Sequence, residues 1–377
     1  MRPRAASLPI EVSLIEAGHV LVHPPTPASV PLHPLPRVPV DAAAERLLSH
    51  GGPFVVTGAM DEVQWGMLRW HGLEPMRARW PSASADLFPN NMLSESNRRG
   101  EWLVQLPRGL SILASGVGPN DTDIEVEPDA PSGRYLHLQL TPAMWATLQE
   151  DGLIPSGAGL VHVLLDANAW MRSCLSAPHA AEYHIKLHWK MVIAGTRGAG
   201  MYNHTDYLGA GSWHAHLFGS KWWRLCGPES AGWRCVEGVV RAGEVLFYGG
   251  SWSHQTQCVE DTTVTITDTV VHEGNFERLA DQLHLECTSN VRELGFSAGL
   301  CDALDKCYAH MHRRFRGKPA PSGRWRTWRE EAGRQRLSDD DEGGGTTGTT
   351  VLEERERIDA AERNAWQLAA TEWWWKR

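Results

Sequence analysis

The sequence predicts a mainly β protein with additional helices, whose short strands form an antiparallel sandwich or barrel. From Tyr135 onward, apolar and polar residues alternate with a period of two, and glycine-bearing turns separate several of these segments. The chain is long enough for a sizeable core, because it has 377 residues of which 42% are hydrophobic. The strands expected from this pattern are 135–140, 161–165, 184–193, 213–218, 221–226, 244–248 and 262–271.

The part of the chain before this pattern divides into two segments. Residues 1–39 are rich in proline and are expected to form an extended lead-in, with one strand near 11–15. Residues 40–133 are expected to be an α/β region. Its expected elements are a helix from Asp41 to Leu48, a strand at 53–58, a helical segment at 61–80 and a long loop at 107–133.

The β core is expected to span 134–273, with one helix that starts after Thr141 and ends at Glu150. The segments expected after it are two helices at 276–287 and 297–316 within 274–337, a flexible linker at 338–350 and a last helix at 351–377. We interpret the C-terminal helices as candidates for a homodimer contact. The arginine-rich stretch 313–336 is expected to be solvated, with RNA or an acidic peptide as the alternative ligand.

The seven cysteines predict neither a disulfide framework nor a zinc knuckle, because their number is odd and no C-x-x-C motif occurs. A reducing compartment is therefore expected. The net charge of −9 argues against sequence-independent binding to nucleic acid phosphates. No apolar segment reaches the length of a membrane span, and the first residues do not resemble a secretory signal. We expect an intracellular protein, in the nucleus or the cytoplasm, without membrane association.

The most informative residues for function are His204, Asp206 and His254. Two imidazoles and one carboxylate are the ligand set that holds Fe(II) in non-haem oxygenases, where open coordination positions remain for the reactants. Residues i and i+2 of a strand point to the same face, so His204 and Asp206 are expected to converge on one ion, with His254 supplied by another strand. An H-x-D triplet is expected by chance on the order of once in a chain of this composition, so the triplet alone is weak.

An ordered set of motifs strengthens this interpretation. The motifs are His204-Thr205-Asp206-Tyr207-Leu208-Gly209, Trp213, Gly219-Ser220-Lys221-Trp222-Trp223, Ala242-Gly243-Glu244 and Gly249-Gly250-Ser251-Trp252-Ser253-His254. Together they resemble the jumonji-C (JmjC) domain, a branch of the cupin-fold oxygenases that use Fe(II) and 2-oxoglutarate. They are most similar to the phosphatidylserine-receptor-like group, whose members are reported as lysyl hydroxylases and arginine demethylases. The resemblance is clearest over 189–271 and extends more weakly back to about 53.

The resemblance implies a double-stranded β-helix (jelly-roll) core between the N-terminal α/β region and the C-terminal helices. It implies that His204, Asp206 and His254 ligate Fe(II), and that 2-oxoglutarate and O₂ are co-substrates. The residues that it places at 2-oxoglutarate are Lys221 at the distal carboxylate, Thr267 at the same carboxylate, His214 near the co-substrate and Tyr135 as a further hydroxyl contact. The reaction implied is hydroxylation or demethylation of a side chain in a protein or peptide substrate.

The sequence departs from the family at two places. His214 stands where the related group often has asparagine, and Ser251-Trp252-Ser253 replaces an aromatic pair before the last histidine, which can shift the register of His254. Rival metal sets are His214 and His216 with Glu229, as in plain cupin isomerases or dioxygenases, and the pair His184 and His188 on one strand face. Two other functions stay open: a catalytically inactive JmjC-like binding protein, and the same chemistry on RNA or a small molecule.

Overall fold

The computed structural model describes residues 30–43, 46, 52–88, 102–115, 133–155, 174–187, 190–206, 211–229, 232–250, 252–270, 279–280, 283–284, 286–287 and 296–316. The predictions for 11–15, 161–165, 338–350 and 351–377 lie outside these residues, as does the arginine-rich stretch beyond 316. The chain divides into two compact units. One comprises Met1–Leu165 and Trp189–Val270, and the other comprises Asp166–His188 and Val271–Arg377.

The first unit is built from two β-sheets. Its described strands are β1 (Leu32–Pro34), β2 (Arg37–Pro39), β3 (Phe54–Thr57), β4 (Ser84–Phe88), β5 (Trp102–Gln105), β6 (Tyr135–Gln139), β7 (Met191–Gly195), β8 (Gly200–His204), β9 (Gly211–Phe218), β10 (Ser220–Glu229), β11 (Gly232–Arg241), β12 (Val245–Tyr248), β13 (Ser253–Cys258) and β14 (Thr263–Val270). One sheet has the order β1-β11-β10-β13-β8, and the other has the order β2-β3-β12-β9-β14-β7-β6-β4-β5. The sheets are mixed, because β1 with β11 and β2 with β3 pair in parallel while the other pairs are antiparallel.

The two sheets share a buried apolar core. One cluster combines Trp223 and Leu225 of β10 and Val236 of β11 with Val55 of β3 and Leu246 of β12, which belong to the other sheet. Alternate residues of a strand point to the same face, so Trp223 and Leu225 both reach this core. Truncating one such residue to alanine should cost about 2–5 kcal/mol. The predicted mainly β fold is therefore confirmed, as two sheets that share a core, although the sheets are mixed rather than purely antiparallel.

Most of the strands predicted from alternation are confirmed: they correspond to β6, β9, β10, β12 and β14. The predicted strand at 184–193 is wrong in its first part, because Ala177–Leu187 is a helix and only Met191–Gly195 is a strand. A proline at the second helical position and the alanines that follow it favour a helix there. This helix also removes the strand face that His184 was predicted to share with His188, which lies outside the described residues.

The described helices of the first unit are α1 (Glu74–Arg79), α2 (Leu106–Ser115) and α3 (Pro142–Glu150), with 3₁₀ turns at Val40–Ala42 and Gly66–Arg69. Helix α3 was predicted, and its first turn is capped where the Thr141 hydroxyl accepts from the Met144 amide at 3.2 Å. The second unit contains α4 (Ala177–Leu187) and α5 (Ala298–Arg316). Within the described part of the chain, no helix combines the length and the apolar character needed to cross a membrane.

Two predictions in the N-terminal region are wrong. The predicted loop at 107–133 begins with helix α2, because Leu106, Leu110 and Leu113 form a buried apolar stripe at helical spacing. Its proline lies in the first turn, where a missing amide hydrogen is tolerated. The predicted continuous helical segment at 61–80 is interrupted, because Gly72 adopts a φ of 85° and separates the 3₁₀ turn from α1.

The prediction of no disulfides is also wrong. Cys226 pairs with Cys235, Cys174 with Cys307 and Cys287 with Cys301, while Cys258 is a free, buried thiol. The first pair joins residues directly opposite each other on β10 and β11. The other two pairs lie in the second unit. The two cysteines of one of these pairs are 133 residues apart, so the spacing of cysteines along the sequence did not indicate this disulfide. The argument from the cysteine count to a reducing compartment falls with this prediction.

Candidate metal centre

The sheet with the order β1-β11-β10-β13-β8 brings His204, Asp206 and His254 together. His204 ends β8 and is paired directly with His254 of β13, while Asp206 lies two residues beyond the end of β8. The Asp206 Oδ1 atom is 3.6 Å from His254 Nε2 and 3.9 Å from His204 Nε2. All three ligand atoms lie within 4.8 Å of one another. Because β8 ends at His204, the same-face argument for a strand does not extend to Asp206, and the turn after the strand positions its carboxylate.

Both histidines have the tautomer that a metal ligand needs. His204 Nδ1 is 2.8 Å from the Tyr202 carbonyl oxygen, and His254 Nδ1 is 3.2 Å from the Trp252 carbonyl oxygen. A carbonyl oxygen only accepts, so each Nδ1 carries the hydrogen and donates it. In its neutral form each imidazole therefore presents the Nε2 lone pair towards Asp206, as in imidazole ligands whose second nitrogen is fixed by a backbone acceptor.

The Asp206 carboxylate is held by hydroxyl groups on one oxygen only. Ser212 Oγ donates to Asp206 Oδ2 at 2.6 Å, and the Tyr248 hydroxyl donates to the same oxygen at 3.1 Å. Oδ1 is the oxygen that faces the two histidines. The two hydroxyls therefore fix the carboxylate so that Oδ1 is directed to the position a metal ion would take.

Tyr248 links the carboxylate to two histidines. Its hydroxyl oxygen is 3.2 Å from His254 Nε2 and 3.1 Å from His214 Nε2. Burial, and then the charge of Asp206, raises the pKa of Tyr248 well above its usual value, so the phenol keeps its single proton. When that proton is donated to Asp206, His254 Nε2 is free to bind a metal and His214 Nε2 must carry the hydrogen that donates to Tyr248.

Burial and the neighbouring imidazole keep His254 neutral. Its side chain is 4% exposed, whereas those of His204 and Asp206 are 24% and 23% exposed. Burial, followed by the charge of His204, lowers the pKa of His254 to about 4. A neutral imidazole is the ligand form, so no proton has to leave this residue at neutral pH. The partial exposure of the other two side chains gives solutes access to the site from the β8 side.

A scan against models of protein families finds no matching family, and a search of curated proteins finds no match. The chemistry available to the site therefore follows from its own side chains.

A buried lysine lies inside the same sandwich. Lys221 of β10 is 1% exposed, and its Nζ donates to the Tyr135 hydroxyl at 2.8 Å and to Thr265 Oγ1 at 3.5 Å. Among the described residues, no carboxylate lies within ion-pair distance of this ammonium group. Burying an unpaired ammonium costs several kcal/mol, on the order of the penalty for any desolvated ion. The surroundings of Lys221 therefore suit an anionic ligand.

Tyr135 reaches Lys221 because β6 and β7 leave space for its ring. Its pairing partner on β7 is Gly195, where an added Cβ would lie 2.6 Å from Cys258 Sγ and 2.8 Å from Tyr135 Cδ2. Any larger residue at 195 would thus collide with the tyrosine. The Lys221 Nζ also lies 4.8 Å from the centre of the Tyr135 ring, which adds a cation–π contact.

The threonine beside Lys221 is Thr265, two residues before the threonine that the sequence predicts. Thr267 Oγ1 donates to the Trp213 carbonyl oxygen at 2.7 Å, so its proton is already used. The pairing of β14 with β9 shifts register between Val264 and Thr265. Alternating threonines and a β-bulge leave the sequence without a signal that chooses between the two positions.

His214 and His216 both point into the sandwich from β9. His214 is 7% exposed, and only its Nε2 has a partner, the Tyr248 hydroxyl. His216 is fully buried, and neither of its ring nitrogens has a hydrogen-bond partner among the described residues. Burial lowers the pKa of His214 well below its usual value, with Lys221 and then His254, His216 and His204 adding to the effect. His214 therefore lies within electrostatic reach of both the lysine and the candidate ligands.

The rival metal sets receive no support from the described residues. There, the only group of three or more histidine, cysteine or acidic side chains that could hold an ion is His204, Asp206 and His254. The side chain of Glu229, which would complete the His214 and His216 set, lies outside the description. The unusual sequence before His254 does not misdirect this residue, since His254 pairs directly with His204.

Sequence reasoning missed Ser212, Tyr248 and Thr265, and it gave His216 only a rival role. Ser212 and Tyr248 lie on neighbouring strands, where they are directly paired. Nothing in their local sequence marks them as partners of Asp206, because that contact depends on how β9 and β12 lie against the end of β8. A search for hydroxyl residues on the strands next to each ligand would have found both.

Proposed function

We propose that this chain is an Fe(II)- and 2-oxoglutarate-dependent oxygenase that hydroxylates, or demethylates, a protein side chain. The observation that carries the proposal is the presence of two complementary sites in one sandwich. One is a His-Asp-His group whose ligand atoms converge. The other is a buried ammonium, Lys221, with hydroxyl partners and no carboxylate partner among the described residues. A dicarboxylic 2-oxo acid can satisfy both, because one end binds a metal and the other end binds a cation.

The strand order supports a jelly-roll core for this function. Within the two sheets, the strands that follow Trp189 have the orders β12-β9-β14-β7 and β11-β10-β13-β8. Four strands per sheet, with the chain crossing repeatedly from one sheet to the other, is the arrangement of an eight-stranded jelly-roll. In such a core the interior between the sheets is the natural location for a small ligand.

The donor set fits Fe(II). Two imidazoles and one carboxylate on one side of an ion leave the remaining coordination positions open, and this set is typical of non-haem iron. When bound, Fe(II) with 2-oxoglutarate and O₂ supplies oxidation of a C–H bond, with release of succinate and CO₂. The sequence motifs that resemble the JmjC domain support the same reaction and are the basis for a protein substrate.

The residues of the chain have separate tasks in this reaction. His204, Asp206 and His254 hold the metal, and Ser212 and Tyr248 orient Asp206 so that Oδ1 faces it. Lys221 binds the distal carboxylate of 2-oxoglutarate, and this contact fixes how far the 2-oxo group reaches towards the histidines. The packed interior around Trp223 and Leu246 excludes water from the pocket.

Turnover of 2-oxoglutarate without a substrate tests the proposal. Purified protein with Fe(II) under air should convert 2-oxoglutarate slowly to succinate, measured by mass spectrometry. His204→Ala should abolish both metal binding and succinate formation. The matched control is His33→Ala, a part-exposed histidine on β1 outside the site, which should retain both. Wild-type protein that binds no Fe(II) and forms no succinate would refute the proposal.

A further inference from the structure

Lys221 has one N–H donor that no described residue accepts. An ammonium group has three N–H donors. Two of these are used by the hydroxyl oxygens of Tyr135 and Thr265. Because both hydroxyls accept from Lys221, their own protons remain to be donated, and neither proton has an acceptor among the described residues. One N–H and two O–H groups around Lys221 Nζ therefore remain available as donors.

His216 adds a fourth polar group to these three. It is directly paired with Thr265 across β9 and β14, and directly paired residues place their side chains on the same face of a sheet. That face is the interior one, because Thr265 reaches Lys221 from it. His216 is fully buried and both of its ring nitrogens lack a partner within the described ranges. A neutral imidazole always carries one N–H, so one unsatisfied donor is buried beside Lys221.

The charge of Lys221 acts on this imidazole directly. Burial, and then Lys221, lowers the pKa of His216 well below its usual value. His216 is therefore neutral at physiological pH, and the ammonium stays the only cation of the group. An unsatisfied buried polar group costs about 1–3 kcal/mol, so a site that keeps one is expected to satisfy it when a ligand binds.

We propose that His216 donates its N–H to the distal carboxylate of the 2-oxo acid, as a co-substrate-binding residue beside Lys221, Tyr135 and Thr265. A carboxylate offers about four lone-pair sites on two oxygens. The four donors are the third N–H of Lys221, the two hydroxyls and the imidazole N–H, so every site on the ligand has a partner. The identity of the acid rests on the proposed function. The new element is that His216 helps the site to select a dicarboxylate.

The test compares two acids that differ only in the distal carboxylate. Protein loaded with Mn(II), which does not support turnover, is titrated with 2-oxoglutarate and with 2-oxopentanoate in a calorimeter. His216→Leu should weaken 2-oxoglutarate binding about 10- to 100-fold, the loss expected for one hydrogen bond to a charged group. The same variant should leave the affinities for Mn(II) and 2-oxopentanoate unchanged. His216→Gln, which keeps an N–H donor, should recover part of the loss.

The control is Thr263→Val, which removes a buried hydroxyl on β14, the strand of Thr265, that donates to the Ser220 carbonyl oxygen. It should bind both acids as the wild type does. His216→Leu that binds 2-oxoglutarate with wild-type affinity, or that weakens both acids equally, would overturn the proposal for His216. Wild-type protein that fails to bind 2-oxoglutarate, with or without Mn(II), would overturn it as well.

The outcomes for His216→Leu are distinct from failure of the proposed function. Wild-type protein that binds 2-oxoglutarate through His216 but forms no succinate with Fe(II) contradicts the oxygenase and supports the carboxylate site. Titration of metal-free protein with 2-oxoglutarate separates the metal site from the carboxylate site further, because without metal only the distal carboxylate of the acid is bound. Far-UV circular dichroism confirms folding, and His216→Leu should not lower stability, since it removes two unsatisfied nitrogen atoms.

Discussion

Replacing Lys221 with methionine should change stability and ligand affinity in opposite directions. Methionine keeps an unbranched side chain of similar length and removes the ammonium, which is 1% exposed and has only hydroxyl partners among the described residues. If Lys221 serves a bound carboxylate, the ligand-free protein carries the cost of burying its charge. The variant should then be more stable than the wild type without ligand, and poorer at binding one.

The size of both effects follows from the contacts of Lys221. Replacing a buried ion pair with apolar residues of similar volume is often neutral or stabilises a protein by about 1–4 kcal/mol, and an ion without a partner has no attraction to lose. Two hydroxyl contacts offset part of the burial cost, so we expect a gain of about 1–3 kcal/mol. Removing one partner from a buried charge pair costs a complex about 2–4 kcal/mol, so 2-oxoglutarate should bind about 30- to 1,000-fold more weakly.

The assay is urea denaturation at pH 7 without ligand, followed by calorimetric titration with 2-oxoglutarate. The matched control is Lys190→Met, since Lys190 is also largely buried but forms an ion pair with Asp268 at 3.0 Å. Loss of that ammonium removes the charge partner of a fully buried carboxylate, which then keeps its proton at pH 7, and should destabilise the protein by about 1 kcal/mol. The two lysines should therefore give opposite signs. Lys221→Met that lowers the stability of the ligand-free protein, or that leaves the affinity unchanged, would refute the reasoning.

Three further predictions concern neighbouring groups. Burial, partly offset by Lys190, raises the pKa of Asp268 from 3.8 to about 6, so its contribution to stability is complete below pH 3.8 and lost as the pH rises through 6. The free energy of unfolding should therefore fall by roughly 3 kcal/mol as Asp268 ionises. Urea denaturation of Asp268→Asn should not show this fall between pH 4 and pH 7. Thr265→Val should raise the 2-oxoglutarate KM about tenfold, whereas Thr267→Val should not, since only Thr265 contacts Lys221; the reverse order would restore the threonine chosen from the sequence. Tyr248→Phe should weaken Mn(II) binding about tenfold by releasing Asp206 Oδ2, and unchanged binding in calorimetry would contradict a positioning role.

The candidate ligands could be chosen from the sequence because their residue types carry the chemistry. His204 and His254 lie on directly paired strands, and Asp206 follows the end of β8. The strands around them were predictable where apolar and polar residues alternate, as in β9 and β14. These are properties that a single segment expresses without knowledge of its neighbours.

The features that could not be predicted from the sequence depend on contacts between segments that are distant along the chain. The contact of Tyr248 with Asp206 joins β12 to the end of β8, and the contact of Thr265 with Lys221 joins β14 to β10. The pairing of Cys174 with Cys307 joins residues 133 positions apart. Helix α2 was not predicted, because it has a proline and a glycine near its start and both residues disfavour a helix. Its apolar stripe stabilises the helix only when it packs against the rest of the protein.

The central claim is that one pocket binds Fe(II) through His204, Asp206 and His254 and binds 2-oxoglutarate through Lys221. Anaerobic calorimetry tests it most directly: 2-oxoglutarate is titrated into protein that carries Fe(II), with the metal content measured on the same sample. The account predicts one Fe(II) and one 2-oxoglutarate per chain, loss of the metal in Asp206→Ala, and retention of the metal with weak 2-oxoglutarate binding in Lys221→Met. Wild-type protein that binds Fe(II) elsewhere, so that Asp206→Ala keeps it, or that binds 2-oxoglutarate equally well in Lys221→Met, would contradict the account.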